Sequence, residues 1–145
     1  MKRFRFRLES VLRWRQTLAS IEEDKLRNLY STLRDVERSR SELEGLRRRL
    51  PAEMAARSGL TGAELTALDT YLRRLAAVEQ DLCERKARIE QEIERQRQAV
   101  IEAHRQVRLL ERLRARRLAE WEAELAREAE RVAADNYLAR WRRSP

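Results

Sequence analysis

The 145-residue sequence predicts an all-α fold: a long two-helix antiparallel coiled-coil hairpin with the second helix longer than the first. Three observations point there. Only three Gly and two Pro are present, and tight turns draw on Gly, Pro, Asn and Asp. Ala, Leu, Arg, Glu and Gln dominate, all strong helix formers. Apolar residues also recur at alternating steps of four and three, the seam of a heptad repeat. That recurrence argues against disorder, which a chain with 40% charged residues would otherwise suggest.

The chain opens on alternating basic and aromatic residues, Lys2, Arg3, Phe4, Arg5, Phe6 and Arg7, before helical periodicity begins. From Leu8 the seam reads Leu8, Leu12, Arg15, Ala19, Glu22, Leu26, Leu29, Leu33, Val36, Arg40, Leu43, Arg47 and Leu50. Leu46 fills the stripe where Arg47 weakens it. Pro51 is expected to stop this helix, or kink it near its end. A first helix over residues 8–50 and a connector over 51–62 follow, the latter holding Pro51, Gly59 and Gly62.

Thr61-Gly62-Ala63-Glu64 has capping-box spacing, which sets the start of the second helix near residue 63. Its seam reads Leu65, Leu68, Leu72, Leu75, Glu79, Leu82, Lys86, Ile89, Ile93, Gln96, Val100, Ala103, Val107 and Leu110. The phase slips near Leu113 and resumes at Leu118, Trp121, Leu125 and Val132. With no Gly or Pro from Ala63 to Ser144, one helix is expected, ordered to about residue 135 and fraying after Val132. A reversal near residue 57 would put Leu8 opposite about residue 106 at ~1.5 Å per helical residue. Everything beyond would then lack an intramolecular partner, including Leu109, Leu110, Leu113, Leu118, Trp121 and Leu125.

Chemistry-bearing patterns are sparse. His104 and Cys83 are single and far apart, so no metal site is expected, and no Gly-rich loop offers a phosphate cradle. Carboxylates abound, but on a charged helix they are usually solvated partners of Arg. Neither an enzyme nor a bound cofactor is expected. One cysteine excludes an internal disulfide and fits a reducing compartment. No run approaches the ~20 apolar residues of a membrane span. The opening residues lack the apolar core of a secretory signal, so a cytoplasmic location is expected.

The net charge of +8 favours an acidic partner, anionic lipid or nucleic acid. Arginines 105, 108, 112, 114, 116 and 117, with Arg140, Arg142 and Arg143, are the candidates for phosphate contact. Glu102 and Glu111 interrupt the first group, and Glu120, Glu122, Glu124, Glu128 and Glu130 follow it. Such mixing reads as a solvated helix, and nucleic-acid binding is not expected. Phe4, Phe6 and Trp141 among basic residues could dock on anionic headgroups, pack on a protein partner, or cap the hairpin end.

The run Phe4-x-Phe6-x-Leu8-x-x-Val11-Leu12-x-x-Arg15 resembles the opening of the FliJ-type proteins of the bacterial flagellar export apparatus. Leu68-x-x-Tyr71-Leu72-x-x-Leu75 is similar to that family's signature early in its second helix. The stretch from Glu111-Arg112-Leu113 to Asn136-Tyr137 is similar to its leucine- and charge-rich final segment. Where family members often carry an aromatic residue near the end of helix one, this chain has Arg47-Arg48-Arg49-Leu50.

The resemblance implies a cytoplasmic coiled-coil stalk of type III export, peripherally associated with the inner membrane at the export apparatus. Such a stalk binds a hexameric export ATPase, promotes its assembly and activity, links it to the membrane-embedded export gate, and escorts export chaperones. On this reading Phe4, Phe6, Leu8, Arg13, Leu110, Leu113, Arg117, Trp121 and Leu125 would engage the ATPase, and Tyr71, Leu72 and Leu75 the gate. Seam packing is an equal expectation for Leu72 and Leu75. A virulence-type secretion stalk shares the architecture, and a passive scaffold dimerising through its free stripe is the competing class.

Overall fold

The computed structural model describes residues 3–144; Lys2 of the basic opening run lies outside the described residues. The fold is an all-α two-helix hairpin, α1 over Glu9–Ala55 and the longer α2 over Gly62–Arg143. Contacts gather the chain into two units, one of residues 1–20 with 101–145 and one of residues 21–100.

In the unit of residues 21–100, Val36, Ile89 and Ile93 are buried, with Leu26, Leu29, Tyr30, Leu33 and Leu82 packed against them. These are mostly the expected seam positions, and Tyr30 joins them from beside Leu29. Four of the polar residues that interrupt the seam meet in two pairs across it. Gln96 Nε2 donates to the Glu22 carboxylate and, over 2.9 Å, to the Glu22 main-chain carbonyl. Arg47 forms an ion pair with Glu79. Lys86 Nζ lies 3.6 Å from Glu37, and Arg97 Nε donates to Tyr30 Oη over 2.8 Å. Each pairing ties one level of α1 to one level of α2. Arg40 differs: its Nε is buried without a hydrogen-bond partner, a cost of order 1–3 kcal/mol.

Pro51 does not end the first helix, which continues through it to Ala55. Proline's fixed φ is itself helical, and what it forfeits is one bond to the carbonyl four residues back. Continuing the helix leaves Leu50, Pro51 and Met54 half-buried, which offsets that loss. The connector is correspondingly shorter than expected and is confined to residues 56–61. Gly59 sits there at φ +90°, a left-handed conformation that only glycine adopts freely. The capping box forms as expected: Glu64 N donates to Thr61 Oγ1 over 3.3 Å, and Thr61 N to Glu64 Oε2 over 3.4 Å. At its other end α2 remains helical to Arg143, beyond the fraying expected after Val132.

Two predictions follow from this packing. Ile89→Ala removes a side chain that is only 6% exposed and should cost about 2–4 kcal/mol. Val78→Ala, on an exposed position, should change stability by less than about 0.5 kcal/mol, both changes being measured by urea titration. The hydrogen bond from Gln96, then that from Lys25, holds the Glu22 carboxyl below its ordinary value of 4.5. A depressed folded-state pKa gives stability that is complete above 4.5 and is lost as pH falls through the folded value. Gln96→Leu should therefore flatten the acid limb of the Tm-against-pH curve below about pH 4.5. An acid limb as steep as wild type would show that this bond is not made.

Candidate partner-binding groove

The unit of residues 1–20 with 101–145 carries the groove. Its core is small: Leu12, Ala19 and Val107 are buried, with Ala103 and Leu110 against them. Residues 3–6 are not helical, and residues 7–8 turn into α1, where Glu9 N donates to the Phe6 carbonyl over 3.2 Å. Phe4 and Phe6 are half-buried while Arg3, Arg5 and Arg7 are exposed. That alternation is the period-two geometry of an extended chain. It puts the Phe4 ring on Trp121 of α2, with Phe6 half-buried along the groove, and leaves the three arginines exposed.

Phe4 packs on Trp121, with ring centroids 5.9 Å apart and planes tilted by 53°. The Arg114 guanidinium lies 5.9 Å from the Phe4 centroid, and its Nε donates to Glu9 Oε2 over 3.0 Å. Glu9 in the first turn of α1 also suits the positive end of the helix dipole. Around these contacts lies an open groove of about 880 Å³, lined by residues 3–8 on one side and by Leu113, Arg117, Glu120, Trp121 and Glu124 of α2 on the other. Arg117 is neutralised in part by Glu120, 3.1 Å away. The floor is apolar and aromatic, and the rim carries both signs with arginine in excess, a surface suited to an apolar anchor flanked by acidic groups.

These contacts correct, as far as Trp121, the expectation that α2 lacks a partner beyond about residue 106; residues 126–144 are exposed, as expected. Val107 and Leu110 belong to the core cluster, Arg114 meets Glu9, and Leu113 and Trp121 meet the opening segment. Two physical reasons account for the difference. The reversal falls later in the chain than residue 57, because α1 runs on to Ala55. An extended segment also advances ~3.3 Å per residue against ~1.5 Å for a helix, so a few residues of non-helical chain cover several turns of α2. The phase slip near Leu113 marks where cover passes from α1 to residues 3–8.

Of the residues expected to engage an ATPase, Phe4, Phe6, Leu8, Leu113, Arg117 and Trp121 converge on the groove. Leu110 is instead a core contact, Arg13 is exposed and does not line the groove, and Leu125 is half-buried beyond Trp121. Arg114, Glu120 and Glu124 appear in the sequence only as members of charge runs, and Glu9 carries no signal; Glu124 and Arg114 lie one and two helical turns from Trp121, a spacing that could have linked them to it.

In the other unit, Tyr71 is exposed and Leu72 half-buried, but Leu75 is only 7% exposed and points into the hairpin. Of the two expectations for Leu75, seam packing is the one that its burial supports. Among the described residues, no group of three or more His, Cys, Asp or Glu could hold a metal ion. No helix is long and apolar enough to cross a membrane among them.

No family model, curated protein or solved structure matches the chain. The Phe4–Trp121 contact can be measured directly. A double-mutant cycle with Phe4→Ala and Trp121→Ala should give a coupling of about 0.5–1.5 kcal/mol by thermal unfolding. Additive losses would mean that the opening segment does not dock on α2.

Proposed function

We propose that this chain is a non-enzymatic coiled-coil stalk of a flagellar type III protein export apparatus. It binds the hexameric export ATPase, promotes the ring's assembly and activity, links it to the export gate and escorts export chaperones. It works in the cytoplasm, peripheral to the inner membrane. The observation that carries the reading is the groove. The opening motif on which the family resemblance rests, Phe4-x-Phe6-x-Leu8, and the leucine- and charge-rich stretch after Glu111 are separated by a hundred residues in the chain yet build one surface.

A two-helix hairpin suits a stalk, since a pair of helices can present a docking surface to a ring. The excess of arginine on the rim favours acidic residues beside the apolar anchor on the ring. Exposed Tyr71 remains the residue that would meet the gate, with Leu72 at its edge and Leu75 holding the helix pair beneath. The virulence-type stalk shares this reading apart from the identity of the ring.

Trp121→Ala with Leu125→Ala tests the assignment. Circular dichroism should still report the helical hairpin, while stimulation of the purified export ATPase falls at least about tenfold, as loss of an aromatic anchor implies. Undiminished stimulation would sink the proposal. A shift of the wild-type protein to a stable dimer that the same pair of changes dissolves would favour the passive scaffold instead.

A further inference from the structure

Past the groove, α2 changes character. The acidic run ends at Glu130, and residues 131–143 hold four arginines against one aspartate. Tyr137 and Trp141 are 70% and 72% exposed, and Leu138 is exposed as well. On a helix of 3.6 residues per turn, Ala134, Tyr137, Leu138 and Trp141 share one face. Arg140 lies along one border of that face, and Arg131 and Arg142 along the other. Arginines in a last turn complement the helix dipole, which accounts for the charges but not for three large apolar side chains held in water beside them.

We infer that residues 131–143 form an interfacial anchor that binds the surface of a bilayer containing anionic phospholipid. The helix lies in the plane of the surface, with Tyr137, Leu138 and Trp141 in the headgroup–acyl boundary and the bordering Arg131, Arg140 and Arg142 on the phosphates. Tyr and Trp, with an apolar body and a polar edge, suit that boundary. The bordering arginines supply charge complementarity to an anionic leaflet. A nucleic-acid phosphate backbone would use the arginines but leave the Tyr137–Leu138–Trp141 face in water. Glu130, one turn before Ala134 on the same face, limits the anchor on its other side.

The test is sedimentation of the full chain with vesicles of phosphatidylcholine alone, or with about a third of phosphatidylglycerol replacing it. Binding should require the anionic lipid and weaken with salt as surface charge is screened. The triple change Arg131→Gln, Arg140→Gln and Arg142→Gln should weaken it about a hundredfold, at about fivefold per arginine near an anionic surface. Leu138→Ser with Trp141→Ser should weaken it at least tenfold at unchanged helicity. Arg3→Gln, Arg5→Gln and Arg7→Gln together should leave it within about threefold.

Three results overturn the inference. The first is equal binding to anionic and neutral vesicles. The second is loss of binding that follows the arginines at positions 3, 5 and 7 instead. The third is tighter binding to a short DNA duplex than to the vesicles, with the Ser variant binding it as well as wild type. Because none of these readouts involves an ATPase, the inference stands or falls separately from the stalk proposal.

Discussion

Everything else in this hairpin depends on register between its two helices. A helix pair offers no third layer, and a heptad seam of leucines and alanines looks much the same after a slip of seven residues. What distinguishes one alignment from its neighbours is the polar residues on the seam. Glu22 with Gln96 and Arg47 with Glu79 meet in the native alignment. A seven-residue slip one way would set Gln96 against Leu29 and Glu79 against Met54 and leave both without these partners, whereas the opposite slip sets them against Arg15 and Arg40 and loses the Gln96 bond to the Glu22 carboxylate. The apolar contacts supply most of the association and the polar pairs select among its possible forms, as single polar seam positions do in coiled coils.

The groove is a second result of geometry. Residues 3–7 cover α2 economically because they are not helical: an alternating Arg-Phe pattern makes a strand-like segment whose rings all face one way. Had the heptad pattern continued to the first residue, the same number of residues would have covered less than half the length of α2. The charges on the outer side of the segment then become one wall of the cleft. Aromatic contact, ion pair and helix start are concentrated on Phe4, Glu9 and Arg114, so fixing the start of α1 also fixes the wall.

The class of fold, the capping box and the seam of α2 were legible in the sequence because each depends on local periodicity or on groups three residues apart. The end of α1 was not. Pro51 is a helix terminator by local rule, and only the packing of Leu50 and Met54 reverses it. The partners of the polar seam residues were also hidden. Glu22 and Gln96 are 74 positions apart, and pairing them needs the turn placed to within a residue or two. Six of the nine expected groove residues did converge, since they came from two helical faces and a period-two run. Leu110 and Leu75 could be read both as seam and as contact residues, because a leucine on a helix face looks the same in sequence whether that face meets solvent or its own partner.

The polar pairs also govern how such a protein can change its length. A seven-residue insertion in α1 alone between Glu22 and Arg47 would preserve the face of every side chain yet separate Gln96 from Glu22 or Glu79 from Arg47. Growth inside the paired region therefore has to come as matched heptads at the same level of both helices. Beyond Leu125, where α2 has no such pair to keep, it can lengthen or shorten by itself. Two reaches of one helix thus obey different rules for gaining and losing residues, and the boundary between them falls just past the aromatic contact at Trp121.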